Sequence, residues 1–189
     1  MSDPDEAARA AAAAAAVELV TPGMTIGLGS GRAVWKVVEL LGTRFGRHGG
    51  GATDLAGAAE PGAAKPAPAG APRGSLRAVA ASSRTDELLR AAGIDVVELD
   101  GSLELDLALD GADEVDASLR LIKGGGGALL REKIVVAAAR RFVVVAQSRK
   151  RVERLGEGFR LPVEVVKFAW RDTRRRVAAL LPDATLRLR

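Results

Sequence analysis

The sequence predicts an α/β fold in which a mainly parallel sheet is flanked by helices. Short apolar runs of strand length alternate with stretches of helical periodicity along most of the chain. Hydrophobic residues make up 48% of the 189, enough for a sizeable core, yet aromatics are 3% and Tyr is absent, so Ala, Val and Leu must build it. Glycine-rich or acidic loops directly follow several apolar runs, where ligands bind in such folds.

The elements follow in order. Residues 6–20 are Ala-rich and read as a helix stopped by Thr21-Pro22-Gly23. Residues 25–28 read as a strand and Gly29-Ser30-Gly31 as a loop. Val34, Val37, Val38 and Leu41 then carry helical spacing over 33–41. Residues 49–74 are rich in Gly, Ala and Pro, without periodicity or bulky apolar residues, and are expected to form a flexible insertion. Beyond it, strands are predicted at 77–80, 95–99, 105–109, 142–146, 163–166 and 186–188. Helices are predicted at 85–92, 128–140, 148–155 and 170–181.

Composition removes whole classes of function. With no Cys, disulfides, thiolate metal sites and Cys nucleophiles are excluded, and with a single His a zinc site is not expected. A carboxylate-bound Mg²⁺ is left open by composition alone. That lone His48 lies in Arg47-His48-Gly49-Gly50-Gly51 and reads as a solvated loop residue. The acidic start Met-Ser-Asp-Pro-Asp-Glu is unlike a secretory signal, and the apolar run 10–17 is too short to span a bilayer. A soluble cytoplasmic protein without membrane association is therefore expected. Net charge is +4, and residues 149–189 hold 12 Lys and Arg against 5 Asp and Glu. That excess suits an anionic small molecule or a solvated helix face at Arg174, Arg175 and Arg176. Nucleic acid is not expected, because interleaved aromatics and a recognisable motif are missing.

Three motifs fall at strand ends. In Gly27-Leu-Gly-Ser-Gly-Arg-Ala33 a strand enters glycine-rich backbone and then a helix. Free N–H groups at the helix start, the Ser30 hydroxyl and the Arg32 charge together suit a phosphate. A purely structural turn is the alternative. The stretch fits neither the dinucleotide fingerprint nor a nucleotide-triphosphate loop. In Asp110-Gly-Ala-Asp-Glu114, Asp110 and Asp113 follow an apolar strand, and Gly111 and Ala112 leave room for a ligand. Neighbouring carboxylates raise each other's pKa, which suits acid/base chemistry, while a polar turn with Asx hydrogen bonds accounts for the same residues. In Lys123-Gly-Gly-Gly-Gly-Ala-Leu-Leu-Arg-Glu132-Lys133, four glycines make sense where backbone wraps a small polar ligand. Lys123 is a candidate oxyanion stabiliser and Glu132 a candidate base for a carbon-bound proton. The alternative is a flexible loop with a glutamate favoured by the helix dipole.

Taken together and in this order, the motifs resemble the type A ribose-5-phosphate isomerase family. The matching stretches are 27–33, 79–89, 109–114, 121–133, 146–156 with Lys150, and Leu161-Pro-Val-Glu-Val165. The pair Asp-Gly-Ala-Asp-Glu and Lys-Gly-Gly-Gly…Arg-Glu-Lys, with nine residues between Asp113 and Lys123, is highly specific. The resemblance implies an aldose–ketose isomerase acting on D-ribose 5-phosphate and D-ribulose 5-phosphate through a cis-enediolate, without cofactor or metal, as a homodimer or homotetramer. By position it implies Glu132 as general base, Asp110 as the ring-opening carboxylate, Asp113 on a sugar hydroxyl and Lys123 on the enediolate oxygen. Substrate binding is implied for Ser30, Gly31, Arg32, Ala33, Asp110, Gly111, Ala112, Asp113, Lys123, Gly124, Gly125, Gly126 and Lys150.

The sequence departs from the family in two places. The usual Thr-Gly-Ser-Thr loop is Ser30-Gly31-Arg32-Ala33, losing two hydroxyls and gaining a guanidinium. The family also continues for several dozen residues beyond position 189. The expected organisation is thus a catalytic α/β domain over 1–157 and part of a small α+β lid domain over 158–189. Two other readings are a non-catalytic sugar-phosphate-binding protein and a shortened, inactive isomerase. A CoA-transferase-like enzyme finds no second matching motif.

Overall fold

The computed structural model describes residues 4–46 and 75–189. The expected insertion at 49–74 and His48 lie outside the described residues.

Thirteen elements follow in chain order among the described residues: helix α1 (Pro4–Val17), β1 (Thr25–Leu28), α2 (Arg32–Phe45), β2 (Arg77–Ala80), α3 (Ser83–Ala91), β3 (Asp95–Val96), β4 (Leu107–Asp110), β5 (Glu114–Val115), β6 (Leu121–Ile122), α4 (Leu129–Ala137), β7 (Phe142–Val144), a 3-10 turn (Ser148–Lys150) and α5 (Trp170–Leu180). Five strands form one parallel sheet in the order β3-β2-β1-β4-β7, and β5 and β6 form a separate antiparallel pair. From β1 the chain builds outward through β2 and β3, then crosses back to lay β4 on the other side of β1. The direction of strand succession therefore reverses between β1 and β4. Carboxyl ends at such a reversal splay their loops apart and leave a crevice.

β1 and β4 are fully buried, as expected of central strands covered on both faces. On one face α1, α2 and α3 pack against the sheet. There α2 inserts Val34, Val37, Val38 and Leu41, the helical face read from the sequence. Each such buried side chain contributes about 1.5–3 kcal/mol, so Val37→Asp would break the helix–sheet contact. On the other face α4 places Val135 among Val79, Ala81 and Leu105. Gly27 permits this approach, because a Cβ on it would lie 2.4 Å from Val135 Cγ1.

Several expected boundaries shift. The first helix ends at Val17, where the N–H groups of Leu19 and Val20 bond three residues back and tighten the chain before Pro22. α2 runs on to Phe45 instead of stopping at residue 41. β3 stops at Val96, since it meets only Arg77 and Ala78 of β2. β4 begins at Leu107, because Leu105 pairs instead with Ala139, which also peels the chain off α4 after Ala137. The strand expected at 142–146 shortens to Phe142–Val144. It is half-buried because it lies at the edge of the sheet.

Three expectations are overturned. The helix predicted over 148–155 is a single 3-10 turn, since Arg151 forms a bridge with Val115 and Val152 N–H bonds the Val115 carbonyl. The strands predicted at 163–166 and 186–188 do not form. Among the described residues no strand lies beside them to supply ladder partners, and Val163, Val166 and Leu188 are exposed. Within residues 158–189 the helix α5 is the one regular element formed. The β5–β6 hairpin escaped the sequence reading: its strands are two residues long, too short for periodicity to register. Asp116 Oδ1 closes its turn by accepting from Ser118 N–H (3.0 Å) and Arg120 N–H (2.9 Å). No helix among the described residues is long and apolar enough to cross a membrane.

Candidate active site

The crevice between β1 and β4 is a cleft of about 370 Å³. β1 delivers the loop Gly29-Ser30-Gly31 to it, and β4 delivers Asp110. Gly29 is obligatory, because a Cβ there would lie 1.8 Å from Asp110 Oδ1. The Asp110 carboxylate fills that space, with Oδ1 accepting from Ser30 N–H (3.2 Å) and Gly111 N–H (2.7 Å). Thr85 on α3 reaches across to donate to the Gly29 carbonyl (2.8 Å), fixing the loop from the other side.

Lys123 follows β6, and the hairpin turns it back into the cleft. Its ammonium lies 2.8 Å from Asp110 Oδ2 and 3.0 Å from Glu132 Oε2, and it donates to the Gly111 carbonyl at 2.6 Å. The contact with Asp110 Oδ2 is an ion pair off the hydrogen-bonding direction, leaving that oxygen short of a well-aligned donor. Glu132, in the first turn of α4, also accepts from the Ser30 hydroxyl through Oε1 (2.5 Å). Asp110 is 1% exposed and Glu132 5%, so both carboxylates depend on these partners. Burial pushes the Asp110 carboxyl above its ordinary range, and the Lys123 charge opposes that shift.

Asp113 lines the cleft farther out, with Oδ2 accepting from Gly125 N–H (2.8 Å). Gly124, Gly125 and Gly126 line the cleft with bare backbone, and Gly31, Ala33, Gly111 and Ala112 line it too. Arg32 is exposed at the rim beside the start of α2, where no side chain caps the helix. Lys150, in the 3-10 turn, also lines the cleft. Every residue given a site role from the sequence thus lines this cleft except Asp110, which is buried in contact with the lining residues Ser30, Gly111 and Lys123.

Residues that the sequence reading missed also line it: Arg9, Trp35, Gln147 and Arg149. Arg9 is buried, pairs with Glu6, and brings a guanidinium from α1 to the cleft. A signal for it exists. Arg9, Ala13, Ala16 and Val17 share one buried helical face, so the arginine occupies a position otherwise given to apolar residues. Gln147 and Arg149 are reached through the first turn of α1, by Gln147 Nε2 donating to the Asp5 carbonyl (2.7 Å) and an Arg149–Asp5 ion pair (3.0 Å). Among the described residues no group of three His, Asp or Glu side chains gathers to hold a metal ion. Between Asp110 and Glu132 the Lys123 ammonium is the cation.

Two fully buried central strands, a strand-order reversal and a lysine-bridged pair of carboxylates in a cation-rimmed cleft define an α/β protein with a polar cleft at the carboxyl ends of its strands. Residues 77–189 match the family model for ribose 5-phosphate isomerase A (phosphoriboisomerase A). A ribose-5-phosphate isomerase A of Shouchella clausii is 45% identical over 176 residues, 93% of this chain and 66% of that protein. The solved ribose 5-phosphate isomerase A of Methanocaldococcus jannaschii superposes with a TM-score of 0.76 at 33% identity, covering 93% of this chain and 68% of that one. A D-ribose-5-phosphate isomerase solved in complex with phospho-erythronic acid gives 0.79 at 29% identity, over 99% of this chain and 72% of that one. The chain belongs to the ribose-5-phosphate isomerase A family. It spans between 56% and 66% of the length of the first curated relatives it matches.

Proposed function

We propose that this chain interconverts D-ribose 5-phosphate and D-ribulose 5-phosphate. The observation that carries the reading is the Lys123 ammonium held between the buried carboxylates of Asp110 and Glu132. An aldose–ketose shift moves one proton between adjacent carbons with no net redox change, and these groups are sufficient for it.

In this reading Asp110 exchanges a proton with the ring oxygen as the sugar opens, a task suited to a carboxyl whose pKa is raised by burial. Glu132 then removes the proton from C2. The C2–H electron pair becomes the C1–C2 double bond of a cis-enediolate, and the C1 carbonyl oxygen takes up the negative charge. Lys123 stabilises that oxyanion. As the C2 carbonyl forms, the hydroxyl proton on O2 passes to O1, and Glu132 returns its proton to C1. Ser30 orients Glu132 through the bond to Oε1. Asp113 and the backbone of Gly124, Gly125 and Gly126 hold sugar hydroxyls. The phosphate lies at the start of α2 against Ser30, Gly31, Arg32 and Ala33, with Lys150 and Arg9 completing the charge.

Residues 1–157 are proposed as the catalytic domain and 158–189 as part of a lid. Self-association into a homodimer or homotetramer is proposed from the family and is tested by light scattering. A non-catalytic sugar-phosphate-binding role would have no need of a base and an oxyanion partner in contact, and their joint presence argues against it. The deciding experiment is conversion of ribose 5-phosphate to ribulose 5-phosphate by the purified 189-residue chain in the presence of chelator. Turnover supports the reading; a folded chain that binds the sugar phosphate without turnover defeats it.

A further inference from the structure

Glu114 is the last residue of the acidic motif, and the chemistry above makes no use of it. It is nonetheless almost fully buried, at 2% exposed. Its carboxylate accepts three backbone N–H bonds of 2.6 Å, from Gly156 to Oε2 and from Gly158 and Phe159 to Oε1. These donors hold the carboxyl below its ordinary range, Gly156 foremost, so the group remains an anion at neutral pH. Successive backbone N–H groups curled around an anion form a nest; here the anion is supplied by the protein. The nest is otherwise weakly held. Gly156 and Gly158 are exposed, and residues 156–159 belong to no helix or strand.

The nest carries Phe159, whose ring lies against Gly125: a Cβ on that glycine would be 2.6 Å from Phe159 Cζ. The same Cβ would be 2.8 Å from Asp113 Oδ1, and Gly125 N–H donates to Asp113 Oδ2. The Asp113 carboxylate and the Phe159 ring therefore both crowd the face of Gly125 that a side chain would occupy.

We propose that Glu114 is a positioning residue for the substrate cleft: consecutive residues hold the same face of one glycine, Asp113 directly and Glu114 through the 156–159 nest and Phe159. That hold sets the separation between the glycine backbone and Asp113, and with it the fit of the sugar hydroxyls. Its kinetic consequence rests on the isomerase reading; the mechanical coupling does not.

Glu114→Gln keeps one acceptor oxygen but turns an NH₂ group towards a nest N–H, and Glu114→Ala removes all three bonds. Phe159→Ala cuts the link while leaving Glu114 untouched. In the full-length chain, hydrogen exchange is expected to quicken at 156–159 and also at 124–126 in both Glu114 variants, while β1 and β4 keep their protection. Phe159→Ala is expected to quicken 124–126. For ribose 5-phosphate, KM is expected to rise by roughly three- to tenfold, with kcat changed by less than about twofold, in the order Ala above Gln. A merely structural anchor would instead loosen 156–159 alone, leaving 124–126 and KM as in the wild type, and that result overturns the proposal. Should Glu114→Gln fail to fold, Phe159→Ala decides: unchanged exchange at 124–126 overturns the coupling. A wild-type chain that never isomerises defeats the function proposed above, while exchange at 124–126 still decides the coupling.

Discussion

The Ser30 hydroxyl donates to Glu132 Oε1 at 2.5 Å, joining the loop after β1 to the first turn of α4 across 102 positions of sequence. The other oxygen of Glu132 faces Lys123. The carboxylate is thus held from two sides before any ligand arrives, the preorganisation a general base requires.

Glu132→Gln should lower kcat by about 10²–10⁴-fold and leave the fold intact, since the amide still accepts through its oxygen. Ser30→Ala should lower kcat by much less, because Lys123 still orients the base. Steady-state kinetics on both variants checks the order, and equal losses would show that the hydroxyl acts directly on the substrate.

Removing Lys123 strips the cation from two buried carboxylates. Lys123→Met should destabilise the chain by about 3–5 kcal/mol, the usual consequence of leaving a buried charge unpaired. Adding Asp110→Asn should return part of that loss, because an amide costs less to bury than a carboxylate. Urea denaturation of the single and double variants measures both quantities, and additive losses would refute the coupling.

Asp110 and Glu114 should give opposite pH dependences of stability. The folded chain holds the Asp110 proton to higher pH than the unfolded chain, whose ordinary value is 3.8. Its contribution is complete below that value and is lost as pH rises through the folded pKa. Glu114 is shifted down from 4.5, so its contribution is present above that value and lost as pH falls through the folded pKa. Denaturation midpoints across an acid pH series should show Asp110→Asn losing less stability than wild type on raising the pH, and Glu114→Gln losing less on acidification.

Arg32 and Arg9 reach the cleft with different burial, the first exposed and the second buried. If Arg32 binds phosphate, Arg32→Ala should raise KM more than it lowers kcat, with little change in stability. Arg9→Ala should raise KM and also lower the denaturation midpoint, because its side chain packs within α1. An unaltered KM for Arg32→Ala would remove that residue from the phosphate site.

Much of this was legible in the sequence because the signals are local. Val34, Val37, Val38 and Leu41 mark a helical face by spacing alone, and Asp110, Asp113, Lys123 and Glu132 fall in two short motifs of unusual composition. The C-terminal strands were misread for the converse reason. Residues 163–166 are apolar enough for a strand, but a strand exists only where a neighbour supplies its hydrogen bonds, and Val163 and Val166 are exposed instead.

Local sequence determined where five helices, the central strands and the glycine loops lie, though not every boundary, because helix periodicity and backbone freedom act over a few positions. Only the tertiary structure decided that β1 and β4 are neighbours, that Lys123 lies between Asp110 and Glu132, that Arg9 reaches the cleft, and that Glu114 binds a loop more than forty positions away. Those relationships depend on strand order and on buried charges finding partners, and in each the partner lies far along the chain.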